Sequence, residues 1–418
     1  MTMNSVNAGI VWGLAIAWIG APLSGCIGGK GTSAAVAPPP TANSLTLSVD
    51  AGPAAAAGAI NHAYVTVKVC APGSTTQCAS IDHVLLDTGS VGLRLVDSVL
   101  TAAGVTLTPS TNAQGSTVEE CMSFGAGQTW GPIAFADVSL AGEVAANLPV
   151  QILADTGGGA PPPADCGANG TLLDSVAGFN ANGLLGVGVF AQDCGPGCVA
   201  AGGTAPGAVY YGCTSAGACT NAGVALAAQV TNPVTMFPVD NNGVIVDLPN
   251  LQNANGDAAV QGQLLIGIST QTDNQLPLTG LTVLGTNASG EFSTTFNGSS
   301  TELAGRIDSG SDSITFDDPQ IPACATGAFV GYYCPTIAPL SVYAINSGLG
   351  ANTDVNTVNF AIADPNTFVA GASALTNLAG GVGSSGFIWG MPFFYGRKVY
   401  VGIEQRIAGT VAGPYFAY

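Results

Sequence analysis

Two four-residue runs in this chain have the side chains for acid–base chemistry: Asp87-Thr88-Gly89-Ser90 and Asp308-Ser309-Gly310-Ser311. Two carboxylates held close together cannot both ionise comfortably, so such a pair shares one proton. One carboxylate, as base, can take a proton from a water held between them. The other, as acid, can protonate a carbonyl oxygen. That chemistry uses no metal, no cofactor and no covalent intermediate. Gly89 and Gly310 allow backbone N–H groups to approach the carboxylates. Thr88, Ser90, Ser309 and Ser311 offer hydroxyls that can orient the pair. The pair would titrate as a unit.

The elements that must position these residues are strands. Val84 to Leu95 reads VLLDTGSVGLRL, and Ala304 to Phe316 reads AGRIDSGSDSITF. Each has a strand, then Asp, Ser/Thr, Gly and Ser, then another strand. Each is followed later by an apolar, glycine-punctuated element: Gly183 to Gly188 (GLLGVG) and Gly386 to Pro392 (GFIWGMP). The order occurs twice, which predicts two similar β lobes, each giving one carboxylate to a shared cleft. Asp155-Thr156-Gly157 is an internal control, because it dissolves into Gly and Pro with no strand after it. Asp and Gly are common turn residues, but two unrelated turns would not share these flanks.

Composition agrees with a mainly β chain. Of 418 residues, 47% are hydrophobic, only 8% are charged, and 59 are Gly, which suits many short strands joined by turns. Strands are expected from Leu45 onward, at Ala63–Val69 and at Val84–Leu86. Helix is expected only at Ala222–Val230 and Ala370–Leu378. Seven Lys and Arg stand against 25 Asp and Glu, for a net charge of -18, so no basic surface for nucleic acid can be built. His62 and His83 are the only histidines. His83 lies about 13 Å from Asp87 along an extended strand, which argues against a Ser-His-Asp triad. No phosphate loop or dinucleotide fingerprint is present.

The N-terminus reads as an export signal. Ile10 to Ala21 is apolar but short for a membrane span, and Leu23-Ser24-Gly25-Cys26 resembles a bacterial lipobox. The expectation is a lipoprotein signal peptide over 1–25, a lipid on Cys26 and a flexible tether over 26–45. No Lys or Arg precedes the apolar run. Ile27, where Asp would favour the inner membrane, points to the outer membrane. Removing Cys26 from the 11 cysteines leaves an even number, as disulfides in an oxidising compartment require. Close spacing suggests Cys70 with Cys78, Cys194 with Cys198, Cys213 with Cys219 and Cys324 with Cys334, leaving Cys121 and Cys166. Sequence does not settle that connectivity. A metal reading of Cys194-Gly-Pro-Gly-Cys198 is weaker, with no His nearby.

From Ala63 to Tyr418 the chain resembles the pepsin-like aspartic peptidases. Asp87-Thr88-Gly89-Ser90 resembles the family's first catalytic loop and Asp308-Ser309-Gly310-Ser311 its second. Ser123 to Gly127, with Gly131 to Gly142, resembles the flap hairpin and the strand after it. Leu148 to Leu153 and Gly183 to Gly188 follow in order. Gly262 to Ile268 resembles the end of the first lobe, and Phe387 to Ile403 the closing segment. The resemblance implies an all-β, bilobal fold, with an N-terminal lobe over 46–270 and a C-terminal lobe over 271–418. It implies Asp87 and Asp308 as the catalytic pair, Phe124 and Gly125 in the flap, and an extended peptide or protein as substrate of a monomer.

The departures fall on the flap. The family's flap Tyr is Phe124 here, and the Trp that bonds to it is Arg94. Trp130, near the flap tip, is a candidate substitute. Arg94 reads as a solvated strand residue, or else as a clamp on an acidic substrate group or on Asp312, which adds charge beside the second loop. Trp389 and Phe393 read as core. Three functions stay open: a lipid-anchored endopeptidase, a catalytically impaired surface module that binds a peptide or glycan, and a structural envelope protein.

Overall fold

The computed structural model describes residues 43–154, 159–166, 171–200, 208–277, 279–381 and 383–418. The signal segment, Cys26, most of the tether and the control tripeptide at Asp155 lie outside the described residues. Apolar and alternating runs fold as strands throughout. The first half contributes β1 (Ser44–Val49), β2 (Ala63–Cys70), β3 (Cys78–Asp87), β4 (Val91–Val96), helix α1 (Asp97–Ala102), β5 (Thr117–Phe124), β6 (Gly127–Leu140) and β7 (Glu143–Leu153). Helix α2 (Val176–Phe179), β8 (Gly183–Val187), β9 (Ala208–Cys213), β10 (Cys219–Asn221), β11 (Gly243–Leu248) and β12 (Val260–Ile266) follow. The second half has β13 (Val283–Gly285), β14 (Phe292–Phe296), β15 (Leu303–Ile307), β16 (Ile314–Thr315), β17 (Leu340–Ser347), β18 (Val355–Ile362), β19 (Ala379–Gly380) and β20 (Gly386–Trp389). It closes with β21 (Arg397–Gly402), β22 (Ile407–Ala408), β23 (Val411–Ala412) and β24 (Tyr415–Ala417).

The protein is mainly β, as its composition and the resemblance implied. A 15-stranded sheet runs β10-β9-β5-β6-β7-β4-β8-β3-β2-β1-β12-β11-β21-β24-β13, and a 7-stranded sheet runs β18-β17-β14-β15-β20-β16-β19. The sequence echo is a structural repeat. Strand β8 inserts between β3 and β4, parallel to the first and antiparallel to the second. Strand β20 inserts in the same way between β15 and β16. The apolar-Gly elements are therefore the strands that back the two Asp loops. Gly186 lies opposite Asp87, where a Cβ would come within 2.5 Å of the Val91 nitrogen. Strands β21, β24 and β13 cross from the second half to extend the larger sheet, β21 pairing β11 from Gly243↔Gly402 to Leu248↔Arg397.

The core continues beneath both sheets. Trp389, Phe387 and Phe316 are completely buried, with Phe316 stacked on Phe387 at 5.0 Å. Phe393 packs on Trp389. All five suggested disulfides form: Cys70–Cys78, Cys121–Cys166, Cys194–Cys198, Cys213–Cys219 and Cys324–Cys334. Among the described residues no helix is long and apolar enough to cross a membrane.

Two helical expectations fail. Within Ala222–Val230 only Leu226–Ala228 makes a single 3-10 turn. Val224 and Val230 are drawn instead into a cluster with Tyr210 and Ile133, and buried Gln229 donates to the Gly195 and Val224 carbonyls. No helix forms over Ala370–Leu378. There Ala374 bridges Asp257, and the Leu375 N–H donates to Asn61. Local propensity yields to tertiary partners in both places. The helix that does form next to the first loop, α1, starts with Asp97 in its first turn, where a carboxylate suits the helix dipole.

Candidate active site

Asp87 ends β3, and Asp308 follows β15 directly, so each strand delivers its carboxyl into a tight loop. The two loops are held alike. The Gly89 N–H donates to Asp87 Oδ1 at 2.7 Å, and Ser90 Oγ donates to Asp87 Oδ2. The Gly310 N–H donates to Asp308 Oδ1 at 2.8 Å, and Ser311 Oγ donates to Asp308 Oδ2 at 2.9 Å. The loops also grip each other. Thr88 Oγ1 donates to the Ile307 carbonyl at 2.9 Å and accepts from the Ser309 N–H at 3.0 Å. Ser309 Oγ donates to the Leu86 carbonyl at 2.7 Å and accepts from the Thr88 N–H at 3.1 Å. Ser309 makes both bonds although it lacks a methyl group. Thr88 and Ser309 are buried, so these four bonds are shielded from competing water.

Each glycine faces the opposite carboxyl. A Cβ on Gly89 would lie 2.5 Å from Asp308 Cγ, and one on Gly310 would lie 2.8 Å from Asp87 Cγ. No other residue lets the loops approach this closely. Burial raises the Asp87 carboxyl well above the ordinary carboxylate range, and the neighbouring Asp308 charge adds to the rise. The Ser90 and Gly89 bonds pull the other way. Asp87 is buried, Asp308 is half-buried and Gly89 is exposed, so the pair opens to solvent on one side. The arrangement can hold one proton between two oriented carboxyls. Among the described residues no group of three or more His, Cys, Asp or Glu could hold a metal ion.

The flap residues have mixed fates. Strands β5 and β6 form a hairpin in which Phe124 pairs with Gly127 across a Gly125-Ala126 turn. Phe124 is half-buried and Gly125 exposed. Phe124 packs edge-on against Phe179 at 6.1 Å and lies under the Arg94 guanidinium at 5.6 Å. Arg94 is not a solvated residue and does not clamp Asp312. It is completely buried, and its Nη2 is 2.9 Å from both Glu120 Oε1 and Asp193 Oδ2. Its Nη1 donates to the Val91 carbonyl at 2.7 Å, beside Ser90. Every residue of β4 is buried, and a cation there must find anionic partners. Burial works against the Arg94 charge, but Glu120 and Asp193 more than offset it and the net shift is upward. Asp193 is itself pushed well up by burial and by Glu120, and Tyr210 donates its hydroxyl to Asp193 at 2.9 Å.

Trp130 does not replace the flap hydroxyl. It is buried, donates its indole N–H to the Ala160 carbonyl at 2.7 Å and packs edge-on against Tyr211, close to the Cys121–Cys166 disulfide. Asp312 accepts from the Tyr332 hydroxyl. His83 lies beside Asp50 and Asp82. Glu120, Asp193 and Tyr210 were not foreseen. A lone Arg in the apolar run VGLRLV, with Glu119-Glu120 on a later strand, was the available signal.

A family model described as "Protein of unknown function (DUF3443)" matches residues 39–418. The chain belongs to the DUF3443 family. No curated protein compared with it matches. Among solved structures, it is similar to the aspartic proteinase from Irpex lacteus, with a TM-score of 0.48 and 14% identity, over 90% of this chain and 96% of that one.

Proposed function

We propose that this DUF3443 chain is an exported aspartic endopeptidase. One observation carries the reading: two carboxyls held by matching Gly N–H and Ser hydroxyl donors, on loops that hydrogen-bond to each other through Thr88 and Ser309. In the proposed step the pair holds one proton, which starts on Asp87. Asp308 takes a proton from a water lying between them, and the water oxygen bonds to the peptide carbonyl carbon. Asp87 gives its proton to the carbonyl oxygen. The tetrahedral diol then collapses. The proton on Asp308 passes to the amide nitrogen, the C–N bond breaks, and the diol returns a proton to Asp87. The substrate is an extended peptide, bound by strand-like hydrogen bonds under the β5–β6 hairpin. Five disulfides fit an oxidising compartment. A lipid on Cys26 and an outer-membrane location belong to the same proposal.

The test is cleavage of an unfolded protein mixture across acidic to neutral pH, read by mass spectrometry. Wild type is compared with Asp308→Asn and Asp87→Asn. The expected result is a set of fragments made by wild type and reduced at least about a thousandfold in both variants. If the folded, disulfide-bonded protein makes no Asp308-dependent fragment at any pH, the endopeptidase is excluded. Phe124 without a hydroxyl, beside an Arg94 already occupied by Glu120 and Asp193, would then mark a module that binds peptide or glycan without cutting it.

A further inference from the structure

A second site lies on the other face of the flap sheet. Along β5, Val118 and Met122 pack in one cluster, with Glu120 turned to Arg94 on the same side. Cys121 packs in another cluster. Alternation therefore turns Glu119 away from the Arg94 network. On that side is a cavity of about 410 Å³, with an apolar wall of Leu107, Pro132 and Ile152 and a polar one of Thr117, Thr214 and Ser215. Its size and its mix of apolar and polar walls suit a small amphipathic ligand. Glu119 contributes to the wall and is only 1% exposed, yet neither carboxylate oxygen has a hydrogen-bond partner. The Ala160 N–H lies close enough to oppose the rise in its pKa without making a bond of ordinary geometry.

A carboxylate can only accept hydrogen bonds, and leaving it buried without a donor is costly. The donor missing from the protein is one a ligand can bring. Among the described residues no Lys, Arg or His lines the cavity, and Asp97 and Glu119 are the ionisable side chains that do. The chain's net charge of -18 raises the local concentration of cations further. We propose that this cavity binds a cationic amphipathic group, an ammonium on a short hydrocarbon, with the ammonium on Glu119 and the hydrocarbon against Leu107, Pro132 and Ile152. The site is separate from the Asp87–Asp308 pair and holds whether or not that pair cuts peptides.

The test uses three probes of one shape: phenethylamine, phenethyl alcohol and hydrocinnamate. Each is titrated calorimetrically into the full, disulfide-bonded chain at about pH 8. The amine is expected to bind at least about tenfold tighter than the alcohol, and the carboxylate weakest. Glu119→Gln should remove the amine's advantage while keeping alcohol binding. The wild type supplies an independent readout should that variant fail to fold. Burial pushes Glu119 up to about 7, so the amine's advantage should shrink as pH falls below that value and Glu119 takes a proton. Equal binding of amine and alcohol by wild type, no binding of the amine, or an advantage that survives in Glu119→Gln would each overturn the proposal.

Discussion

At the residue scale, the decisive groups are two carboxyls and the two glycines that let them meet. Burial and the Asp308 charge hold the Asp87 carboxyl above its ordinary range, so the folded state binds this proton more tightly than the unfolded chain does. Stability from that proton is present at low pH and is lost as pH rises from the unfolded value through the folded one. Asp87→Asn keeps an acceptor for Gly89, and its amide can donate to Ser90. It should therefore raise stability at about pH 7 by about 1–2 kcal/mol, and it should abolish the proposed cleavage. The gain should vanish in acid. Denaturant melts of both proteins at several pH values measure this. Gly89→Ala should act in the opposite direction. Its Cβ would meet Asp308 at 2.5 Å, so a loss of about 1–3 kcal/mol is expected, together with a dyad pushed apart and inactive at every pH.

At the scale of elements, the inter-loop grip joins the ends of β3 and β15, and the Arg94 network ties β4 to β5 and to the segment after β8. Thr88→Val keeps shape but leaves the Ser309 N–H and the Ile307 carbonyl without their partner. Both are buried, so a loss of about 2–4 kcal/mol in unfolding free energy is expected. Arg94 links β4 to Glu120 on β5 and to Asp193 after β8. Arg94→Leu would leave two carboxyls buried without a cation, which should cost about 3–5 kcal/mol. If Arg94 were a surface residue, the same change would be nearly neutral. Equilibrium unfolding of this one variant therefore tests the buried assignment.

At the scale of the whole molecule, disulfides and charge set the response to conditions. Cys121–Cys166 closes 45 positions and Cys70–Cys78 only 8. Loop-closure entropy makes the first more stabilising by about 1.5 kcal/mol. The Cys121→Ala/Cys166→Ala variant should thus melt lower than Cys70→Ala/Cys78→Ala. The first bridge also packs with Trp130 and Tyr211, which widens the difference. With a net charge of -18, neutral salt should raise the melting temperature by screening self-repulsion.

Much of this architecture is legible in the sequence alone. Low charge, abundant Gly and period-two patterning determined a mainly β chain, because those features suit pleated, half-buried strands and tight turns. The duplicated Asp loop with its apolar-Gly sequel determined the repeat in which β8 and β20 each insert behind an Asp strand. Close cysteine spacing matched four bridges, and the two cysteines left over, Cys121 and Cys166, form the fifth. The placement of Arg94, Trp130 and Glu119 was decided by tertiary structure alone. Whether a strand residue faces a core, a carboxylate or a cavity depends on which distant strand covers it. Arg94 is buried because Glu120 and Asp193 arrive from elsewhere in the chain. The helix-like Ala222–Val230 window forms a single 3-10 turn and no α-helix for the same reason: partners far away in sequence outweigh what the residues prefer among themselves.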